Sequence, residues 1–336
     1  MGKPADPARS LASGKLPVAL LAGLLAELPP APPEVRLGPS IGEDACALEL
    51  AGGVLVAATD PVTLTAEHVG RWSVIVNAND VAVTGVRPRW FLAVVLVPPD
   101  TTEATIRDLF ADLRDALIGV GAHLVGGHTE ITSAVTRPLV VGQMLGLAEN
   151  GAFLTSGGAA AGSVVVQVGP ALIEGAAVLA REAATRLGQL DPAELEAARV
   201  AIDHPGISVV EPALLATRLG ATALHDPTEG GLAAGLHELA HASSVRVRID
   251  RSAVLWFEPG LAVCRALGAD SWSTLSSGTV LAVFPEDAAA PALAAFADSG
   301  YSAAAIGSTE PGSGVCDTDD GVIPWPDRDE VDRLLA

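Results

Sequence analysis

Three cysteines in 336 residues, Cys46, Cys264 and Cys316, are too few and too far apart for a disulfide framework. They include no CxxC pair, so they outline no structural zinc site, and a reducing cytoplasm is the expected compartment. Positive charge is also scarce: 20 Lys and Arg face 40 Asp and Glu, a net charge of −20. So acidic a chain has no general attraction for nucleic-acid phosphates or an anionic membrane surface, and neither is an expected partner. No apolar run reaches the ~18 residues of a membrane span. Lys3, Arg9 and Lys15 ahead of the apolar residues 18–26 imitate a signal peptide, but Pro17 and Glu27 bracket the run. The expectation there is an amphipathic helix over about 17–28. Also missing are a Walker A loop, a GxGxxG turn after a strand and a GxSxG elbow.

What is present suffices for two buried cores. Hydrophobic residues make up 49% of the chain and charged ones 18%, which excludes intrinsic disorder. Domains are expected at 34–154 and 155–336, after an N-terminal segment and PPAPP linker over 1–33. In the first, strands are expected at 54–59, 90–97, 122–125 and 137–147, and helices at 69–84 and 102–119. In the second, strands are expected at 163–168, 221–224, 245–249, 279–284 and 303–306. Helices are expected there at 172–186, 192–202, 231–242, 260–267 and 288–299. Mixed elements in both halves indicate α/β and α+β domains.

Acidic and polar residues gather where these elements end: Gly42-Glu43-Asp44-Ala45, Thr59-Asp60, Asn77-Ala78-Asn79-Asp80 and Gly126-Gly127-His128-Thr129-Glu130. Asn77, Asp80 and Thr84 form one polar strip on their helix, while Asn79 falls in the apolar arc, where an amide needs a partner. Mg²⁺ takes oxygen ligands, usually one or two carboxylates with waters and phosphates, and a glycine pair lets main-chain N–H groups approach phosphate. Taken singly, Asp44 and Asp60 also suit turns and helix caps. Together the four segments indicate one Mg-phosphate site.

These segments carry a resemblance. IGEDA (41–45), ATDPVT (58–63), VNANDVAVTGVRPRW (76–90), VGGHTEIT (125–132) and HDPTEGGLAAGLHELA (225–240) resemble the AIR synthase-related (PurM-like) superfamily, and within it the HypE-like group. The resemblance runs over about 14–315. It implies a two-domain architecture, an N-terminal α/β domain with a dimerising sheet and a C-terminal α+β domain, and a homodimer that binds ATP with Mg²⁺. It implies Asp44, Asp60, Asp80 and Asp226 as metal ligands and Gly126–Thr129 as a phosphate-facing turn. Thr59, Asn77, Asn79, Gly126, Gly127, Thr129 and Glu130 are the expected nucleotide-binding residues, and Lys15, Asp80 and His128 the expected catalytic ones. Lys15 is one of only two lysines and follows the flexible pair Ser13-Gly14.

The sequence departs from its group in places that bear on chemistry. HypE-like proteins carry a C-terminal cysteine, whereas the last cysteine here is Cys316 and the chain ends Leu334-Leu335-Ala336. Ser276-Ser277-Gly278 stands where that group has Glu before glycine. His128 stands where the family's thiamine-phosphate kinases have Asp. The expected activity is therefore that of a Mg-ATP-dependent phosphotransferase- or ligase-type enzyme, acting on a small-molecule or protein-borne group that remains unassigned. The alternative is a nucleotide-binding maturation or regulatory protein without turnover. His237-Glu238-Leu239-Ala240-His241 is a literal HExxH, the signature of zinc hydrolases. On the helical wheel its histidines point away from the leucine stripe, and a solvated polar face is expected.

Overall fold

The structure is a computed structural model and describes residues 17–63 and 67–335. Lys15 lies outside them. The first half contains α1 (Val18–Ala26), β1 (Val35–Leu37), β2 (Cys46–Leu50), β3 (Gly53–Val62), α2 (Val69–Ala82), β4 (Pro88–Val97), α3 (Glu103–Val120), β5 (His123–Ile131) and β6 (Leu139–Ala148). The second contains β7 (Val164–Val168), α4 (Ile173–Glu182), α5 (Pro192–Arg199), α6 (Val210–Arg218), β8 (Ala223–His225), α7 (Gly231–Ser243), β9 (Val245–Ile249), α8 (Glu258–Leu267), β10 (Val280–Phe284), α9 (Glu286–Asp298), β11 (Ala303–Pro311), β12 (Gly314–Asp317) and α10 (Glu330–Leu335). Each half builds a six-stranded mixed sheet, in the orders β1-β2-β3-β6-β4-β5 and β12-β9-β11-β7-β10-β8. Among the described residues no helix is long and apolar enough to cross a membrane.

In the first sheet, alternation selects one face. Val54, Val56 and Ala58 of β3, Val140 and Met144 of β6, and Phe91, Ala93 and Val95 of β4 are buried, each two residues apart along its strand or a multiple of two. Helices α2 and α3 lie over this sheet. Thr102 caps α3 by accepting from Thr105 N–H at 3.1 Å, and Gly121 ends the helix in the left-handed region. The other sheet face, with Leu92, Val94, Val141 and Leu145, is only half-buried.

Helix α2 is buried nearly all round, because it packs on β3 and β6, on α3, and on α6 from the second half. One apolar cluster therefore runs from Val56 and Val81 through to Val209, Ala213 and Phe284. Asn77, Asp80 and Thr84, expected as a strip beside an apolar face, are all buried here.

Several elements differ from expectation. The expected short strand 122–125 continues to Ile131 as β5, so Gly126–Thr129 is strand and not turn. The partner decides this: β5 pairs in parallel with β4, Gly127 opposite Ala93, and an added β-carbon at Gly127 would stand 2.0 Å from Ala93 O. Helix α6 was not expected; its Pro212 sits in the first turn, where proline is tolerated. Helix α1 forms, but none of its residues is fully buried; Val18, Leu21 and Leu25, on one face, are half-buried.

Candidate functional site at the domain boundary

The Gly42-Glu43-Asp44 loop leaves β1 and enters β2 against the second half of the molecule. Gly42 adopts φ +82°, and a β-carbon there would stand 2.7 Å from the Glu238 carbonyl of α7. Ser156 N–H donates to Glu43 Oε2 at 3.2 Å. Burial raises the Glu43 carboxyl above its ordinary range, and main-chain donors at Ser156 and Gly157 offset part of that. Asp44 Oδ2 lies 3.2 Å from His225 Nδ1 at the end of β8. Ser156 Oγ is 3.1 Å from the same ring nitrogen, and Glu238 Oε2 is 2.9 Å from Nε2. Burial alone would depress His225; the Asp44 and Glu238 carboxylates overcome it and hold the imidazole well above its usual range.

Asp80 joins this group from α2. It lines one small cavity with Glu43, Asp44, Thr155, Ser156 and Leu224. Beside it opens a cleft of about 510 Å³ that shares Thr84 and Leu154 and is also lined by Arg87, Glu149, Asn150 and Thr217. Asp226 follows His225 directly and is 2% exposed.

The remaining expected residues fall into two sets. Asn77 and Asn79 hold main chain. Asn77 accepts from Asp60 N–H at 2.8 Å and donates to Asp60 O and Ser73 O, which fixes the end of β3 on α2. Asn79 donates to Ile207 O and accepts from Val209 N–H, both at 2.8 Å; these are the partners its place in the apolar arc requires.

The second set lies along one row of the first sheet. Asp60 is opposite Gly142, Gly142 opposite Ala93, and Ala93 opposite Gly127; Thr59, Gln143, Leu92 and Gly126 form the adjacent row. Thr59 and Asp60 thus stand level with Gly126 and Gly127, three strand spacings or roughly 14 Å apart. His128, Thr129 and Glu130 follow on β5, exposed, with His128 Nε2 3.4 Å from Glu130 Oε2.

The structure therefore brings Asp44 and Asp80 together, sets Asp226 next to their histidine, and leaves Asp60 and the β5 residues on a separate row. Among the described residues no group of three or more His, Cys, Asp or Glu could hold a metal ion by itself. The oxygen donors suit an ion that keeps waters and phosphate oxygens, as Mg²⁺ does, and not one caged by protein ligands.

The HExxH segment does different work. His237 is buried, places Nε2 2.8 Å from Ile323 O, and stacks on Trp325 with ring centroids 5.1 Å apart. That nitrogen must carry the proton to make its bond, so it is not a metal ligand. The solvated face expected for His237 is instead covered by the C-terminal segment. Glu238, about 100° further round the helix, meets His225. Ser156, His225 and Glu238 were absent from the expected site. The signals available were that His225 directly precedes Asp226 and that Glu238 lies on the helix of the same motif.

Comparison with known proteins accords with the two-domain fold. Residues 42–148 match the model of the AIR synthase related protein N-terminal domain, and residues 160–317 that of the C-terminal domain. Carbamoyl dehydratase HypE of Rhodobacter capsulatus is 27% identical over 237 residues, 70% of this chain and 67% of that protein. Thiamine-monophosphate kinase of Mycobacterium tuberculosis is 29% identical over 262 residues, 74% of this chain and 73% of that protein. The solved structure of AaThiL complexed with AMPPCP and TMP superposes with a TM-score of 0.71 at 19% identity, covering 92% of this chain and 94% of that one. The two family models, matched in sequence over most of the chain, place it in the AIR synthase related protein family.

Proposed function

We propose that this protein is a Mg-ATP-dependent enzyme that activates or phosphorylates a small-molecule or protein-borne group. The observation that carries the reading is the meeting of Asp44 and Asp80, from separate elements, in one cavity closed by the second domain. Support comes from the relatives: one is a carbamoyl dehydratase, one a thiamine-monophosphate kinase, and AaThiL was solved with AMPPCP. In this reading Asp44, Asp60, Asp80 and Asp226 are the metal ligands. Thr59, Gly126, Gly127, Thr129 and Glu130 serve the nucleotide, Asn77 and Asn79 act only by holding main chain, and Asp80 and His128 act on the reacting groups with Lys15, which lies outside the described residues.

The chain's own contribution is positioning. Asn77 fixes the main chain beside Asp60, and Asn79 ties α2 to the second domain, so the carboxylates are set before any ligand arrives. Gly127 lets the β5 main chain run close to β4 where no side chain would fit. The adjoining cleft has the size of a small-molecule site. Bound Mg²⁺ would supply neutralisation of phosphate charge, which phosphoryl transfer requires. The half-buried apolar sheet face with Val94 and Val141, together with the open β5 edge, supports the homodimer, since a second copy would cover it.

Nucleotide binding tests the reading. ATP affinity should fall steeply on adding EDTA, because the protein's own negative charge repels the phosphates, and Asp80→Asn should imitate part of that loss. Unchanged affinity in EDTA would end it. ATP turnover with candidate acceptors separates an enzyme from a nucleotide-binding regulator. Light scattering should give about twice the 33.9 kDa chain mass; a monomer at micromolar concentration would refute the dimer.

A further inference from the structure

The glutamate of the HExxH segment has no zinc to serve, and its actual neighbour is informative. Glu238 Oε2 lies 2.9 Å from His225 Nε2, and the far side of that ring lies 3.2 Å from Asp44 Oδ2. The His225 side chain is 1% exposed and that of Glu238 15%, so water competes little for the bond between them. Three second-domain segments converge here: Ser156 before β7, His225 at the end of β8 and Glu238 on α7. All three converge on one loop of the first domain. Ser156 bonds both the ring and Glu43, and Gly42 is in main-chain contact with Glu238. Ser243, on the same helix as Glu238, donates to Ser156 O at 2.8 Å and holds Ser156 in turn.

A carboxylate that binds a metal takes its direction from the groups behind it. Asp44 has an imidazole behind it, and that imidazole is oriented from its other nitrogen. We propose that His225, oriented by Glu238, is a positioning residue that sets the direction of Asp44, so that the second domain controls how tightly the first holds a metal-bound nucleotide. This rests on the Mg-ATP reading above. A histidine that merely filled space would not need bonds at both nitrogens, nor a carboxylate on each side.

The test uses the full chain and two near-isosteric variants, His225→Gln and Glu238→Gln. Calorimetric titration with a non-hydrolysable ATP analogue is run with Mg²⁺ and again in EDTA. Each variant should weaken Mg-dependent binding by about tenfold and leave binding in EDTA unchanged. The double variant should be no weaker than His225→Gln alone, because both act through one ring. A second readout needs no nucleotide: the ¹⁵N imidazole signals of His225 should shift both in Asp44→Asn and in Glu238→Gln. Wild-type Mg-dependent affinity in both folded variants would overturn the proposal, as would unshifted ring signals. If the wild type shows no Mg-dependent binding, the Mg-ATP reading fails by itself, and the ring signals still decide whether Glu238 and Asp44 act on His225. Should His225→Gln not fold, Glu238→Gln, which keeps size and shape, carries both measurements.

Discussion

Two histidines of this protein each stand beside a glutamate, and solvent treats the pairs in opposite ways. His225 and Glu238 are 2.9 Å apart with side chains 1% and 15% exposed; His128 and Glu130 are 3.4 Å apart with side chains 62% and 52% exposed. At the domain boundary, removing one partner strands a charge away from water. On β5, water replaces whatever is removed. The same residue types therefore build a water-excluded contact between domains in one place and a solvent-exposed pair in the other.

The sharpest way to break this contrast is to delete each glutamate. Glu238→Ala should lower the free energy of unfolding by about 3 kcal/mol in denaturant titration, because His225 loses the partner at Nε2. Glu130→Ala should stay within about 0.5 kcal/mol of wild type. Equal losses would mean that burial is not what separates the two pairs.

Main-chain proximity on β5 gives the next largest effect. Gly127→Ala should cost about 2 kcal/mol, since φ is +148° and the new β-carbon meets the Ala93 carbonyl. Gly119→Ala, at an exposed position of α3 with nothing within 4 Å, should instead stabilise by about 0.8 kcal/mol. Thermal melts of the two variants side by side check the signs. A harmless Gly127→Ala would show that β5 departs from β4 in solution.

A third prediction uses pH. Glu174, at the start of α4, has its carboxyl pushed up to about 7 by burial; Ser277 donates to it and lowers the value, while nearby Glu229 raises it. Because the folded value lies above the ordinary 4.5, its contribution is full below about pH 4.5 and is lost as pH rises through about 7. Glu174→Gln should therefore match wild type at pH 4 and exceed it by about 1–2 kcal/mol at pH 8. A constant difference across that range would show that Glu174 does not titrate within it.

Local chemistry is legible without a structure, and much of this molecule is local. Apolar spacing alone located α2, α3, α7 and the central strands, because a buried face repeats every two or 3.6 residues whatever it packs against. The acidic segments at Asp44, Asp60 and Asp80 and the Asp226 segment could be read in order, since each is a short string with its own chemistry. What those strings meet depends on residues far along the chain, and there only the tertiary structure decided. Gly126–Thr129 is a strand because β4 lies beside it. Asn79 is at ease in an apolar arc because Ile207 and Val209 bring it two main-chain partners. HExxH is a domain-boundary contact and not a metal site because Trp325 covers His237 and His225 claims Glu238. A side chain's neighbours across a domain boundary follow from packing the whole core, and no local period encodes them.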